Sequence, residues 1–169
     1  MSKDRRQVVL VVDNVRSAYN VGSLLRTADG LGVKKVYLSG YTPYPKQQND
    51  SRPPHVQGRV TNEIAKTALG AQDSVDWEHI EQIESVLGEL KKNGYQIAAL
   101  EQTSSAINLN EFSPKSVVAL IVGNEVNGLD SRSLELAQIH VQIPMTGQKE
   151  SFNVSVAAAI TLYYLIRIV

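Results

Sequence analysis

The chain has no cysteine, and among its 169 residues it holds one tryptophan, two phenylalanines and three histidines. Without thiols there is neither a disulfide framework nor thiolate chemistry. A metal site would have to draw on three scattered histidines, His55, His79 and His140, so no metal is expected. The repeated glycines of a dinucleotide loop are missing around Gly22 and no Walker pattern occurs, which argues against the common nucleotide-cofactor folds of those types. No apolar run reaches the ~20 residues of a membrane span. The longest, at the C-terminal end, is interrupted by Thr161 and Arg167. The charged start, Met1-Ser-Lys-Asp-Arg-Arg, passes into a strand-like run without a small-residue cleavage site. No export signal is read, and the cytoplasm is the expected compartment.

What is present fits one ordinary globular domain over 1–169, without evident extensions, with 43% hydrophobic residues. Net charge is zero, but residues 1–66 carry eleven Lys/Arg against five Asp/Glu, and residues 67–169 carry six against twelve. A balance of +6 on the N-terminal part is compatible with a polyanion-binding face. Solvated charge that happens to segregate accounts for the same numbers.

Gln7–Val12 is a continuous β-branched run, expected to be a strand covered on both faces. Leu24, Leu25, Ala28 and Leu31 mark a helix from about Asn20 to Leu31, stopped by Gly32, with a strand over Val33–Ser39. Gly40–Pro54 holds four of the six prolines and reads as a long exposed loop. Thr61–Leu69 is weakly helical, and Ser74–Trp77 reads as a short strand. Ile80, Ile83, Val86, Leu87 and Leu90 have helical spacing, followed by a strand over Tyr95–Leu100. Val117–Val122 is the most strand-like run; a short helix from Ser131 to about Ala137 and a strand over His140–Ile143 come after it. The alternation predicts an α/β domain with a mostly parallel sheet and helices on both faces. From Val154 to Val169 apolar residues surround the helix, which predicts burial on nearly all sides.

Ligands of open parallel sheets bind beyond the carboxyl ends of the strands. Three polar stretches fall there. In the first, Asn20 reads as a helix N-cap or a ligand contact, Gly22 allows close approach, and Arg26 is a functional or a solvated cation. In the second, Gly123–Leu129, Asn127-Gly128 is a turn signal by itself, while Glu125 stands beside glycines at the end of a core strand. In the third, Ser151 and Asn153 flank Phe152 at a helix start, and capping accounts for one of the two polar residues but not both.

Together, Asn20-x-Gly22-x-x-x-Arg26-Thr-Ala28, Gly123-x-Glu125-x-x-Gly128-Leu129 and Ile143-Pro-Met145 leading into Ser151-Phe-Asn153-Val-Ser-Val-Ala157 resemble the three ordered motifs of the SPOUT superfamily, specifically the TrmH (SpoU) RNA ribose 2′-O-methyltransferases. The resemblance covers almost the whole chain. It implies a C-terminal trefoil knot, a rare exception to the rule that chains do not thread their own loops. It implies S-adenosylmethionine as cofactor, held by Leu100, Gly123, Ile143, Met145, Ser151 and Phe152. It implies methyl transfer to a ribose 2′-hydroxyl of tRNA or rRNA, with Arg26, Asn20, Glu125, Ser151 and Asn153 as catalytic positions, and a homodimer. A guanidinium is a poor base, so Arg26 is expected to grip phosphate and orient the ribose rather than take its proton. Tyr41, Tyr44, Lys46 and Arg52 in the Tyr41–Pro54 loop are expected either to meet RNA or to form an ordinary exposed loop. The alternative function is a catalytically idle RNA-binding or assembly protein that keeps the fold.

Overall fold

The β-branched run forms β1 (Gln7–Asp13), the buried strand around which the rest is laid down. The chain continues through α1 (Ala18–Leu31), β2 (Lys35–Ser39), α2 (Pro54–Ala68), α3 (Ala71–Ser74), β3 (Trp77–Ile80), α4 (Ile83–Lys92), β4 (Gln96–Leu100), β5 (Ile107–Asn108), β6 (Val117–Val122), α5 (Ser131–Leu136), β7 (Ile139–Gln142) and α6 (Val154–Tyr163). The computed structural model describes residues 6–168; the expectations for Met1–Arg5 and for Val169 lie outside them.

All seven strands join one sheet in the order β3-β2-β1-β6-β4-β7-β5, and every pair is parallel. Parallel neighbours need crossovers, and the crossover helices cover both faces. Along β1, Val8, Leu10 and Val12 point to a core shared with Leu24, Leu25, Ile64, Ala158 and Leu162 of α1, α2 and α6. Val9 and Val11 point to the opposite core, with Ile83, Val86, Leu87 and Leu90 of α4. The expected α/β architecture with helices on both faces is the one observed.

Register brings the polar ends of five strands to about one level. Val12 pairs with Val122, Asp13 with Ser39, Ala99 with Ile121 and Leu100 with Val141. Asn14, Gly123, Glu101 and Gln142 therefore emerge side by side at the carboxyl edge of the sheet, which in open α/β sheets is the ligand edge.

Several elements depart from the sequence reading. α2 begins at Pro54, inside the stretch expected to be loop, because proline suits the first helical turn, where its missing N–H is not needed. Ile80 ends β3 rather than opening α4, and Ser74 closes α3 rather than starting a strand. α1 starts two residues before Asn20, with Ser17 as its cap: the Ser17 hydroxyl accepts from Asn20 N–H at 3.3 Å. Gly22 permits close approach to α2, not to a ligand; a Cβ there would stand 2.2 Å from the Ile64 carbonyl oxygen. α6 is not buried all round. Leu162 and Ala158 are in the core, while Val156, Ile160 and Tyr163 stay 45%, 38% and 53% exposed on one face. Beyond Tyr163 the helix widens into a π-helical turn over Tyr164–Ile168.

Candidate functional site at the carboxyl edge of the sheet

A cleft opens where β4, β6 and β7 end and the 143–153 loop crosses in front of them. Leu100, Val122, Gly123, Ile143, Met145, Phe152, Val154 and Ala157 supply its apolar and backbone surface, and Glu101, Gln102, Asn124, Glu125, Gln142 and Ser151 its polar rim. All six residues expected to hold a cofactor line this one cleft. Its shape is fixed by backbone packing: a Cβ on Gly123 would meet the Gly128 carbonyl carbon at 2.7 Å, so the 123–128 turn closes on itself only with glycine there. Glu101 pins the same turn from β4, accepting from Leu129 N–H at 2.8 Å and Gln102 N–H at 3.0 Å. Gln102 in turn donates to the Glu150 carbonyl at 2.7 Å, tying the crossing loop to the end of β4.

Beside the cleft, Glu125, Asn20 and Asn153 form a continuous hydrogen-bonded chain. Glu125 accepts from the backbone N–H groups of Arg16 and Ser17 at 2.9 and 3.1 Å, and from Asn20 Nδ2 at 2.8 Å. Asn20 Oδ1 accepts from Asn153 Nδ2 at 3.1 Å. Asn153 caps α6, its Oδ1 accepting from Ser155 N–H at 2.9 Å and from the Ser155 hydroxyl at 2.7 Å. The two ends of this chain decide both amide orientations. A carboxylate only accepts, so Asn20 must show it the NH₂ group; the Ser155 N–H only donates, so Asn153 must show it the oxygen. What remains for a ligand is the second N–H of each amide and one lone pair of Asn20 Oδ1. The cluster is rich in donors and poor in acceptors.

Glu125 is consequently held in its ionised form by its donors. Partial burial pushes its carboxyl upward, but the hydrogen bonds from Arg16 N–H, the Asn20 side chain and Ser17 N–H outweigh burial and hold it below the ordinary glutamate value. Asp13, one strand over and only 4% exposed, behaves oppositely. Burial raises its carboxyl despite hydrogen bonds from the Ser39 and Ser133 hydroxyls.

Arg26 is not brought to this cluster. It lies six residues after Asn20 on α1, about 120° round the helix and ~9 Å along it. Its side chain is exposed and makes no hydrogen bond or ion pair with the described residues. Ser151 lines the cleft and is exposed, as is Phe152.

The 40–54 stretch is loop up to Pro53, and its residues divide between the two expectations for it. Arg52 is not free to meet phosphate: it pairs with Asp50, donates to the carbonyls of Tyr44 and Pro45, and lies 3.5 Å from the Tyr44 ring centroid. The guanidinium hydrogen-bonded to Asp50 holds that carboxyl well below the usual range. Tyr44 stacks on His79 at 3.9 Å, so neither Tyr44 nor Arg52 is offered to solvent as a platform. Lys46 and Tyr41 are exposed.

Sequence reading missed Ser17, Glu101, Gln102 and Asn124. A signal existed for two of them, since Glu101 directly follows a buried strand and Asn124 stands between Gly123 and Glu125 just after another. Among the described residues there is no group of three or more His, Cys, Asp or Glu able to hold a metal, and no helix long and apolar enough to cross a membrane.

The profile of the SpoU rRNA methylase family matches residues 7–163. A tRNA (guanosine(18)-2′-O)-methyltransferase of Aquifex aeolicus is 32% identical over 96% of this chain and 70% of its own length. A TrmH-family relative from Staphylococcus epidermidis is 29% identical over 98% of this chain, which spans only 60% of that relative. Among solved structures, an A. aeolicus TrmH/SpoU tRNA modifying enzyme superposes with a TM-score of 0.75 at 27% identity, covering 96% of this chain and 76% of its own. The SpoU methyltransferase AviRb of Streptomyces viridochromogenes, solved in complex with AdoMet, shares the fold at a TM-score of 0.79 and 21% identity, over 96% of this chain and 58% of its own. The trefoil knot follows from that shared fold.

Proposed function

The chain belongs to the SpoU rRNA methylase family, and from that premise we propose that it transfers a methyl group from S-adenosylmethionine to a ribose 2′-hydroxyl of tRNA or rRNA. The observation that carries the reading is the juxtaposition of the cleft with the Glu125–Asn20–Asn153 chain. The cleft suits the cofactor. It offers an apolar slot between Leu100, Ile143, Met145 and Phe152, with polar groups at its rim, and two carboxylates, Glu101 and Glu125, in its wall favour a cationic ligand. Leu100, Gly123, Ile143, Met145, Ser151 and Phe152 would hold it, and when bound it supplies an electrophilic methyl group on a sulfonium.

The protein's own contribution is positioning. Glu125 fixes the loop before α1 and orients Asn20; Asn153 carries the same order to the start of α6. The remaining amide N–H groups are oriented to receive a ribose or phosphate oxygen, and Ser151 adds a hydroxyl at the cleft edge. Such alignment lowers the barrier by removing orientational freedom. With Glu125 saturated by donors, loss of the hydroxyl proton is not assigned to it. Arg26 clamps phosphate through its planar fork. Because Arg26 faces away from its own subunit's cluster, its role is assigned to the site of a second copy.

That copy docks on the exposed face of α6. Val156, Ile160 and Tyr163 share this face, and Tyr19 and Phe152 add further exposed rings. An apolar surface of this kind on a folded chain suits a protein partner. Pairing also sets the positive N-terminal part of one subunit beside the cleft of the other. The alternative of an idle RNA-binding protein is disfavoured by an intact polar chain that such a protein would not need. Comparison of ribose-methylated positions in total RNA with and without the gene tests the reading: a vanished 2′-O-methyl nucleotide supports it, an unchanged map or a lost base methylation refutes it.

A further inference from the structure

Tyr41 presents its ring to solvent at 61% exposure, yet both of its ends are held. Its backbone N–H donates to Asn14 Oδ1 at 3.2 Å, and its hydroxyl accepts from Asn124 Nδ2 at 2.8 Å. Asn124 is itself 8% exposed and fully used. Its Nδ2 also donates to the Asn14 carbonyl at 3.0 Å, and its Oδ1 accepts from Val126 N–H at 2.8 Å and Asn127 N–H at 3.0 Å. Asn14 sits in the left-handed region at φ 53°, a conformation asparagine tolerates better than most residues. One buried amide thus fixes an exposed ring on one side and, on the other, the turn that carries Val126, 75% exposed, and Glu125. The Arg52–Tyr44–His79 stack anchors the rest of the loop, with His79 Nε2 2.9 Å from the Gly40 carbonyl oxygen.

We propose that Tyr41, positioned by Asn124, is a stacking platform for an RNA base adjacent to the nucleotide whose ribose is methylated; the proposal rests on the RNA methyltransferase reading above. A fixed aromatic ring loses little freedom on stacking, and every base has a π-face to offer it. Unstacked bases next to a target ribose are the usual handle by which proteins hold single-stranded RNA. The ring stands next to the 14–17 loop, whose backbone binds Glu125, so a base on it would flank the Asn20–Asn153 donors. Exposed Arg16 lies in the same loop and supplies positive charge for the intervening phosphate. Since the Tyr41 oxygen accepts from Asn124, its own proton is left to donate toward the bound nucleotide.

The test compares Tyr41→Ala, Tyr41→Phe and Tyr41→Trp with unfractionated tRNA and rRNA as substrates, and measures cofactor affinity by calorimetry. Tyr41→Ala is expected to raise the KM for RNA about tenfold, with cofactor affinity unchanged, while both aromatic variants, which keep a stacking face but give up the hydroxyl's bond to Asn124, raise it only about threefold. Placing Tyr41→Trp in a Trp77→Phe background adds a readout independent of methyl transfer, because a stacked base quenches the introduced indole. A Tyr41→Ala variant with the parental KM, or an indole unquenched at saturating RNA, overturns the platform. A Tyr41→Ala variant that sediments as a monomer while the parent is a dimer assigns the ring to a subunit contact and overturns it too. If the parent methylates no RNA, the methyltransferase reading fails, and quenching alone then decides whether Tyr41 stacks.

Discussion

Asn153 Nδ2 lies 3.1 Å from Asn20 Oδ1, joining the N-terminus of the last helix to that of the first across 133 positions of sequence. With the Glu125 carboxylate 2.8 Å beyond Asn20, the three polar stretches become one object. Its polarity is dictated from both ends, so each amide has one orientation and one donor left over.

Glu125→Gln should damage this chain more than its modest chemical change suggests. Placed at Oε2 the new NH₂ group faces the Arg16 N–H, which loses its acceptor, and placed at Oε1 it faces both the Ser17 N–H and the Asn20 amide, so the first orientation is preferred. Because Glu125 is partly solvated, the stability cost is small, about 1 kcal/mol at pH 7. Its folded-state value is depressed, so the contribution is present above the unfolded value of about 4.3 and is lost as pH falls through the folded one. Denaturant titrations should show parent and variant converging as pH falls from the unfolded value through the lower folded one. Methyl transfer should drop at least tenfold without loss of a titrating limb near neutrality. A variant that keeps full turnover would mean the carboxylate is only scaffold.

Asp13 reverses that sign. Its carboxyl is raised by burial, so the folded chain holds the proton more tightly than the unfolded chain, and stability falls as pH rises through the window between the two values. Asp13→Asn removes the slope and keeps partners for Ser39 and Ser133. It should melt at the parental temperature near pH 4 and at a higher one at pH 7, by a few degrees if burial costs about 1 kcal/mol. Scanning calorimetry at both pH values decides it; a variant less stable at pH 7 would show that the ionised carboxyl is well satisfied.

Much of this arrangement was legible because parallel sheets write their strands as apolar runs and place their ligands at the strand ends. Val117–Val122 and Gln7–Val12 declared themselves by β-branching, and residues following such runs, Gly123 and Glu125 among them, were site candidates by position alone. What stayed hidden depends on partners distant in sequence. Arg52 in a proline-rich loop looks solvated until its ring partner Tyr44 and its carboxylate Asp50 are placed around it. Pro54 reads as a breaker and serves as a helix start. The apolar residues of α6 carry no mark that separates Leu162, wholly buried, from Tyr163, half exposed, because the helix is apolar on both sides.

Arg26→Ala should abolish methyl transfer, at least a hundredfold, and leave cofactor affinity within twofold, since Arg26 does not line the cleft. Arg26→Lys keeps the charge but not the planar fork and should recover little. Single-turnover rates and calorimetry on the same preparations separate the two effects. Near-parental turnover by the lysine variant would establish that a point charge suffices.

The position of Arg26 leads to the last prediction, which concerns whose site it serves. It stands about 120° round α1 from Asn20, away from its own subunit's cluster, and in the proposed dimer it serves the site of the second copy. Under the proposed pairing through the exposed face of α6, substitutions that separate subunits differ from those that unfold them. Ile160→Glu and Tyr163→Glu place charge on the exposed stripe and should yield a folded monomer that has lost transfer. Leu162→Glu or Ile166→Glu would bury a charge in the core beside α1 and should cost several kcal/mol, unfolding the chain rather than dividing a dimer. Subunit mixing gives the sharper test. Arg26→Ala dimers and Asn153→Ala dimers should each be inactive, but after exchange about half the dimers hold one of each, with both lesions in one site and the other site intact. Activity should then climb from background toward a quarter of the parental value. Mixtures that stay inactive, while sedimentation shows that exchange has occurred, would put Arg26 and Asn153 in the same subunit's site and refute the shared arrangement.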